Sequence, residues 1–432
     1  MKPKVLIVGT VPYNKNLTSR AFESYFSGWE HDRLAQIFSN ESVPLKGHCG
    51  TLFQITDKRM FKRKFSRRVE TGKIYSRSFL PEQDTCIKPK NVGFIYKILY
   101  RIGKLHSPLT HLLRQWVWNK KHWCTENLNY WLDEFAPECV FLSFSDDFFI
   151  LQIALYAARR YNIPIVSAIG DDYCFNMHFS LSPFYYIYKY NYMKLVRDVF
   201  SYKGNTVYIS DKIRDVYNKN FGLNGKTVYL ASNVTRRDFR IIDSVNPYIG
   251  YFGNIGLGRS KSLADIGNAL GMINPDYRLN VYSNENRLKD TSVLCRNPYV
   301  CFHGAVPYNE VKLKIMKCDI IVLVEGFSKS DINKTRYSLS TKAADALASG
   351  SNLFVYGPSD CGLIQYMSDT GGAEVCTDPE KLEDCIRRFI GDYSLQKKNY
   401  DAAARAADEN HTLRASTSSL EKVIAEAVYV NK

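Results

Sequence analysis

The sequence predicts an α/β protein with two domains, each built on a parallel sheet covered by helices. A chain of 432 residues that is 45% hydrophobic is too long for one ordinary core. Short apolar segments of strand length alternate with longer helical segments in both halves, which is typical of βαβ units. A polar stretch at residues 232–247 separates the two alternating series and predicts an interdomain connection.

The first half carries four segments with the apolar, β-branched composition of strands. The apolar spacing of FFILQIALYAARRYN, residues 148–162, fits a crossover helix between the second and third of them. The predicted strands are VLIVG (5–9), CVFLSF (139–144), IPIVSAIG (163–170) and NTVYIS (205–210).

The second half repeats the pattern with clearer alternation. The predicted strands are residues 248–253, 278–283, 299–304, 319–324 and 352–357, and the predicted helices are 262–273, 309–318 and 341–349. We therefore predict a first domain over 1–240, a second over 241–412, and a C-terminal helix over 413–432 that packs back on the first domain.

The cysteines and the apolar runs bear on the cellular compartment. The 11 cysteines are scattered singly, without the paired spacing of a zinc site or a disulfide framework, so we expect reduced thiols. No run approaches the roughly 18 apolar residues of a spanning helix, and the N-terminal apolar stretch is shorter than a signal-peptide core. The sequence therefore predicts a cytoplasmic protein.

The net charge of +15 is confined to one part of the chain. The first 122 residues hold 23 Lys and Arg against 8 Asp and Glu, and the other residues balance. Basic residues alternate there with aromatic and aliphatic ones at 57–70 and 87–123, a mixture that suits an anionic membrane surface. A solvated basic face is the alternative. Nucleic acid is not expected, because no nucleic-acid-binding motif accompanies the charge.

The first chemistry-bearing motif is YFGNIGLGRSKSLADIG, residues 251–267. A strand ends at Gly253, a loop carries Gly256 and Gly258, and a helix follows. Backbone amides and the positive helix end can face a phosphate there, with full charges on Arg259 and Lys261. An ordinary βα turn with a solvated basic pair is the alternative.

The second motif is SLSTKAADALASG, residues 338–350. Ser340 or Thr341 can cap a helix that ends at Gly350, and Lys342 lies beside the N-terminal amides, which again predicts an anion site. Asp345 shares the face of Lys342 and is placed to accept hydrogen bonds from a ribose diol. The alternative is an amphipathic helix with a surface Lys–Asp pair of little energetic value.

Both motifs follow predicted parallel strands, at the edge where open α/β sheets bind ligands. In this order, with VCFHGAVPYNEVKLKIMKCDIIVLV between them, they resemble the nucleotide-sugar-binding domain of group 1 (family 4-like) glycosyltransferases of the GT-B fold. The resemblance covers roughly residues 247–358 and continues more weakly to 390. It implies two Rossmann-like domains facing each other across a cleft, and a UDP- or GDP-type sugar donor bound without a metal or other cofactor.

The resemblance also assigns residues on the donor side. Asp345 matches the second acidic residue of the E-x7-E motif, which is expected on the donor ribose, while the first acidic position is Tyr337. Glu325 is a candidate substitute for that missing carboxylate across a longer loop. Asn254 replaces an arginine often found after the first glycine, and Lys342 matches the lysine of a subgroup whose helix begins S-x-K. Arg259 or Lys261 supplies the basic pair of the diphosphate loop.

On the acceptor side, Gly9 matches the glycine turn that follows the family's opening strand. Asp171 lies where many relatives carry a His-Asp pair, with Gly170 in place of the histidine. Retention of the anomeric configuration is the family expectation; for inversion, Asp171 or Asp172 is the candidate base. His303 is a further candidate for substrate contact, against the alternative of a structural histidine.

The sequence therefore predicts a metal-independent glycosyltransferase that moves a hexose-type sugar to a lipid-linked or polysaccharide acceptor. We expect it at the inner face of the plasma membrane, in bacterial cell-surface polysaccharide synthesis. Departure of the nucleoside diphosphate would be stabilised by Arg259, Lys261, Lys342 and helix amides. The alternatives are a nucleotide-sugar epimerase or hydrolase of the same fold, and a non-catalytic membrane-surface assembly partner with a degenerate nucleotide site.

Overall fold

The computed structural model describes residues 2–10, 20–66, 68–82, 107–176 and 179–429. Part of the basic stretch predicted at 87–123, residues 87–106, lies outside them. The chain divides into two compact units: unit 1 comprises Met1–Val228 and Thr417–Lys432, and unit 2 comprises Tyr229–Ser416. The division falls N-terminal to residue 240, the predicted boundary, because residues 229–240 pack with unit 2.

Unit 1 contains an eight-stranded sheet in the order β4-β3-β2-β1-β5-β6-β7-β8. All neighbours are parallel except β3 and β4, which are antiparallel. The strands are β1 Val5–Val8, β2 Leu34–Phe38, β3 Thr51–Ile55, β4 Gly72–Ser76, β5 Cys139–Ser143, β6 Ile165–Ile169, β7 Gly204–Tyr208 and β8 Lys226–Thr227.

The α-helices described before residue 229 flank this sheet, and a C-terminal helix joins them. They are α1 Arg20–Phe26, α2 Asp57–Phe65, α3 Pro108–Val117, α4 Lys120–Trp123, α5 Glu126–Phe135, α6 Phe148–Tyr161, α7 Pro183–Phe200 and α8 Asp211–Phe221.

Unit 2 contains a six-stranded, fully parallel sheet in the order β11-β10-β9-β12-β13-β14. The strands are β9 Ile249–Phe252, β10 Leu279–Tyr282, β11 Val300–Gly304, β12 Ile320–Val324, β13 Asn352–Tyr356 and β14 Glu374–Cys376. The helices from residue 229 onward are α9 Arg259–Ile273, α10 Leu288–Cys295, α11 Tyr308–Lys317, α12 Lys329–Thr335, α13 Thr341–Ser349, α14 Gly362–Thr370, α15 Leu382–Gly391, α16 Tyr393–Asn410 and α17 Leu413–Tyr429.

The sheet of unit 2 is buried on both faces, as parallel sheets are. Strand β12 shows how: Ile320, Val322 and Val324 pack into the hydrophobic cluster that contains α9, while Ile321 and Leu323 pack into the cluster that contains α13. The period of two along each strand therefore divides the core into two layers, and the helices are fixed over the two faces of the sheet.

The last helix packs on unit 1. Lys2 forms an ion pair with Glu421, Lys226 lies 2.8 Å from Glu426, and the Asn205 amide donates to the carbonyl of Val423 at 3.2 Å. The prediction that the C-terminal helix packs back on the first domain is confirmed. Within the described residues, no helix is long and apolar enough to cross a bilayer.

Candidate functional site

The strand order of unit 2 identifies where a ligand-binding crevice is expected, at the carboxyl ends of β9 and β12. Its strands run 3-2-1-4-5-6 in order of appearance, so the chain leaves β9 in one direction and β12 in the other. Open α/β sheets bind ligands outside the carboxyl ends of strands at such a switch point. The residues that follow β9 and β12 here are Gly253 and Glu325.

The glycine-rich loop after β9 is tightly folded on itself. The Asn254 side chain accepts from the amide of Gly256 at 2.7 Å, and Gly258 begins α9 with a φ of +76°. The first helical amides are already engaged, since Arg259 N donates to Gly256 O at 3.3 Å and Ser260 N to Ile255 O at 2.9 Å. An anion at this loop would therefore depend on cationic side chains more than on these amides.

A buried ion pair joins the two strands of the switch point. The Arg259 guanidinium donates to both carboxylate oxygens of Glu325 at 3.0 Å, and the two side chains are 14% and 3% exposed. Burial disfavours the charged guanidinium, but Glu325 outweighs it and leaves the pKa of Arg259 raised. Burial disfavours the charged carboxylate as well, so the pKa of Glu325 is raised although Arg259 opposes this.

Lys342 reaches the same place from α13. Its ammonium donates to the hydroxyl of Tyr251 at 2.8 Å, and a Cβ on Gly253 would lie 2.1 Å from its Cε. Gly253 also has a φ of +136°, which residues with a side chain rarely adopt. Both the space beside Lys342 and the backbone conformation therefore require glycine here. Burial first, and repulsion from Arg259 second, lower the pKa of Lys342 from 10.5 to about 7, although Glu325 opposes both.

The structure thus brings together the two predicted catalytic cations, Arg259 and Lys342, with the predicted glycines Gly253 and Gly256. It also adds residues that sequence reasoning did not place with them. Tyr251 holds the lysine, Glu325 holds the arginine, and Arg287 lies against the glycine loop, where its Nη2 would be 2.1 Å from a Cβ on Gly256. This cluster can bind an anionic group at the carboxyl edge of the sheet.

The helix that carries Lys342 forms as predicted. Ser340 is its N-cap, with the side-chain oxygen accepting from Lys342 N at 3.4 Å, and Gly350 ends it with a φ of +76°. Thr341 is exposed at its first position. Asp345 accepts a hydrogen bond from the Ser232 hydroxyl at 2.7 Å.

Two further donor-side residues named from the sequence are Lys261 and His303. Lys261 is exposed on α9. His303 at the end of β11 stacks on Tyr282, with ring centroids 4.5 Å apart, and its Nε2 lies 2.8 Å from the Asn280 side-chain oxygen. Burial, and then the nearby Lys314, lower the pKa of His303.

In unit 1, the predicted acceptor-side residues follow neighbouring strands. Gly9 comes after β1 with a φ of +100°, and a Cβ there would be 2.8 Å from the Ser143 carbonyl. Asp171 is exposed after β6. One oxygen of Asp172 accepts from the amides of Cys174 and Phe175, at 3.0 and 2.9 Å, and from the Tyr217 hydroxyl at 3.1 Å. These contacts fix the turn that follows β6.

The two aspartates that follow β5, Asp146 and Asp147, also contact basic side chains of unit 1. Asp147 forms an ion pair with Arg114, and Asp146 lies 3.9 Å from the His111 ring nitrogen. Burial raises the pKa of Asp147, although Arg114 opposes this. Among the described residues, no three His, Cys, Asp or Glu side chains gather in a metal-binding arrangement.

Comparison with known proteins gives a match in structure but none in sequence. No protein family model and no curated protein matches the chain. HepE of Anabaena, solved with UDP, superposes with a TM-score of 0.59 at 10% identity and covers 98% of this chain and 99% of its own. Sucrose-phosphate synthase of Thermosynechococcus elongatus gives 0.57 at 9% identity over 100% of both chains.

A third structure of the same architecture is WaaG, described as a glycosyltransferase involved in lipopolysaccharide biosynthesis. It gives a TM-score of 0.51 at 11% identity and covers 97% of this chain and 99% of its own. The chain has the GT-B fold. The GT-B architecture expected from the sequence motifs is confirmed, and at these identities the similarity establishes the fold alone.

Proposed function

We propose that this GT-B protein is a glycosyltransferase whose donor is a nucleoside-diphosphate sugar bound at the carboxyl edge of unit 2. The observation that carries the proposal is the cation pair of Arg259 and Lys342, enclosed at the switch point between β9 and β12. Two neighbouring cationic side chains that share the carboxylate of Glu325 suit a diphosphate, which supplies further negative charge. HepE, of the same fold, was solved with UDP.

The same pair suits the chemistry of sugar transfer. When the bond between the anomeric carbon and the diphosphate oxygen breaks, negative charge develops on the leaving nucleoside diphosphate. Arg259 and Lys342 would stabilise that charge beside the buried carboxylate of Glu325, without need of a metal. In this proposal Asp345 binds the ribose, while Gly253, Asn254, Gly256, Lys261 and Thr341 surround the diphosphate.

The acceptor is the second part of the proposal. We infer a lipid-linked or polysaccharide acceptor in bacterial cell-surface polysaccharide synthesis, at the inner face of the membrane, with a hexose-type sugar transferred with retention. The support is the basic, aromatic-rich composition of the first 122 residues and the fold shared with WaaG. Gly9 and Asp171 would line the acceptor side; Asp172, held by three donors, serves the turn that positions Asp171.

A turnover assay tests the proposal. The full chain is incubated with labelled UDP- and GDP-sugars, with and without bacterial membrane lipid extract, in buffer with EDTA. We expect label to move to the lipid or polymer fraction, and Arg259→Met and Lys342→Met to abolish this transfer. Lys398→Met is the matched control, because Lys398 is exposed on α16 of the same unit.

The products of this assay distinguish a glycosyltransferase from the alternative functions. Free sugar or an isomerised donor, formed at the same rate without acceptor, would show a hydrolase or epimerase. Absence of turnover together with absence of donor binding would support the non-catalytic alternative and contradict the proposal.

A further inference from the structure

Helix α3 of unit 1 presents an apolar stripe to solvent. Its exposed residues are Leu109, Leu113 and Trp116, which are 45%, 49% and 54% exposed. Their spacing of four and three places them on one face of the helix. An ordinary surface helix has the opposite arrangement, with charged residues outward.

The polar face of α3 explains this reversal. Arg114 donates to both oxygens of Asp57 at 3.0 Å and pairs with Asp147. The Trp118 indole N–H donates to Asp57 at 2.6 Å, and its ring stacks on Phe149 at 3.7 Å. The polar side of α3 is therefore committed to α2 and to the loop after β5, which fixes the apolar stripe outward.

The neighbouring helix also exposes large apolar side chains. Helix α7 packs against α3, and the His111 ring lies 4.8 Å from the Tyr188 ring across that contact. The connection into α7 and its first turn expose three more large apolar side chains. We call the combined surface the apolar face: Leu109, Leu113, Trp116, Phe179, Leu181 and Phe184, of which Phe179 and Leu181 are 84% and 90% exposed.

A basic helix borders the apolar face. Helix α2, with the sequence DKRMFKRKF, packs against α3 and carries five basic residues against one acidic residue, Asp57. The Lys64 ammonium lies 3.8 Å over the ring of Trp116, so the basic helix and the apolar stripe are in direct contact. Phe65, at the end of α2, is 71% exposed.

We propose that the apolar face inserts into the interfacial region of an anionic lipid bilayer, with the basic residues of α2 on the lipid headgroups. Charge complementarity favours a bilayer over other partners, because helix α2, with five basic residues against one acidic residue, borders this face and lies in the part of the sequence that carries the excess of positive charge. Exposed leucine and phenylalanine side chains together with a tryptophan, as on the apolar face, are a composition that partitions into the bilayer interface.

The placement of this surface also bears on the acceptor. Through His111 and Arg114, α3 contacts Asp146 and Asp147 in the loop after β5, at the same sheet edge as Gly9 and Asp171. Docking would thus hold that edge beside the lipid headgroups, where a lipid-linked acceptor is presented. Only this last step rests on the proposed function; bilayer docking itself does not.

The tryptophans provide a direct test. Four of the five are at most 5% exposed and Trp116 is 54% exposed, so acrylamide quenching of the full chain reports mainly on Trp116. With vesicles of phosphatidylcholine and phosphatidylglycerol we expect a blue shift and protection from acrylamide. Trp116→Phe should lose this signal yet still co-sediment with the vesicles. Unchanged emission with anionic vesicles would overturn the proposal.

Two double variants separate the electrostatic contribution to vesicle binding from the contribution of apolar insertion. Lys62→Ala/Lys64→Ala should weaken co-sedimentation with anionic vesicles roughly tenfold or more, and Leu113→Glu/Phe179→Glu should abolish it. Leu288→Glu, an 83% exposed leucine of unit 2, is the matched control and should bind normally. Equal binding to neutral vesicles, or a chain that is dimeric until Leu113→Glu makes it monomeric, would contradict docking to an anionic bilayer.

Sugar transfer to a soluble acceptor, if it occurs, should survive the Leu113→Glu/Phe179→Glu change. Vesicle binding should in turn survive Lys342→Met, which alters the donor site. Failure of the docking proposal and failure of the proposed function are therefore observed separately.

Discussion

Replacing Lys342 by methionine should change how the stability of unit 2 depends on pH. The pKa of Lys342 is lowered by burial, and then by Arg259, from 10.5 to about 7 in the folded protein. Between these two values the unfolded chain binds more protons than the folded chain, so the free energy of unfolding rises with pH. The lysine is therefore most destabilising below pH 7, and this effect is relieved as the pH approaches 10.5.

The size of the effect follows from the same two values. A pKa lowered from 10.5 to about 7 corresponds to about 5 kcal/mol at most, at roughly 1.4 kcal/mol per pKa unit. This is an upper value because Lys342 as a residue is only partly buried. From pH 7 to pH 9, proton linkage gives a rise of up to about 2 kcal/mol in the wild-type free energy of unfolding relative to Lys342→Met.

Urea denaturation at pH 7, 8 and 9 measures this difference. Far-UV circular dichroism follows both units, whereas all five tryptophans lie in unit 1, between Trp29 and Trp131, so their emission follows unit 1. We expect the wild-type free energy of unfolding, relative to that of Lys342→Met, to rise with pH in the dichroism transition and not to change with pH in the emission transition. A difference between the proteins that stays constant from pH 7 to 9 would refute the reasoning.

Three further changes have defined outcomes. Glu325→Ala leaves the largely buried Arg259 without its carboxylate and should lower the free energy of unfolding by about 3–5 kcal/mol, in urea titrations followed by dichroism. Adding Arg259→Met to that variant should restore most of the lost stability. Asp172→Ala removes the acceptor of three donors and should cost about 1–3 kcal/mol by tryptophan emission, without changing nucleotide affinity. Burial lowers the pKa of His411, so stability should fall as pH drops below 6.5, and less steeply in His411→Gln, in melting curves from pH 7 to 5.

Strands β9 to β13 and helices α9, α11 and α13 of unit 2 were predicted, because local signals there agreed with the tertiary fold, whereas β14 and the other helices of unit 2 were not predicted. Residues 341–349 have a serine cap, an alanine-rich interior and a terminal glycine, and the helix has these bounds. In unit 1, β2 and β3 were not predicted. Each buries a glutamine in the middle of the strand, and the amides of Gln36 and Gln54 are satisfied by the carbonyls of Thr10 and Asn40. Such distant partners cannot be inferred from a local pattern.

The candidate site was predictable in its cations but not in their partners. The glycine loop and the capped helix indicated Arg259 and Lys342, and the structure encloses both at one strand end. The pairing of Arg259 with Glu325 depends on β9 and β12 being neighbours, which follows from the strand order rather than from either motif. Arg287 lies in a polar loop with no distinguishing signal.

The remaining site residues illustrate the same limit. Lys261 follows Arg259 by two positions, so it lies on nearly the opposite side of α9, in solvent, while Arg259 points into the crevice. The sequence motif alone does not show which of the two basic side chains faces the crevice and which faces solvent. The functional roles assigned to all of the candidate site residues, Arg259 and Lys342 included, stay predictions.

The most direct test of the donor site is calorimetric titration of the full chain with UDP and GDP near pH 7.5, in two buffers of different ionisation enthalpy. We predict that one of them binds, and that binding takes up protons, because a diphosphate beside Lys342 favours its charged form. Arg259→Met and Lys342→Met should each weaken binding at least about tenfold, whereas Lys398→Met should not. Wild-type affinity in Arg259→Met and Lys342→Met, or no binding of either nucleotide, would contradict a diphosphate site at the junction of β9 and β12.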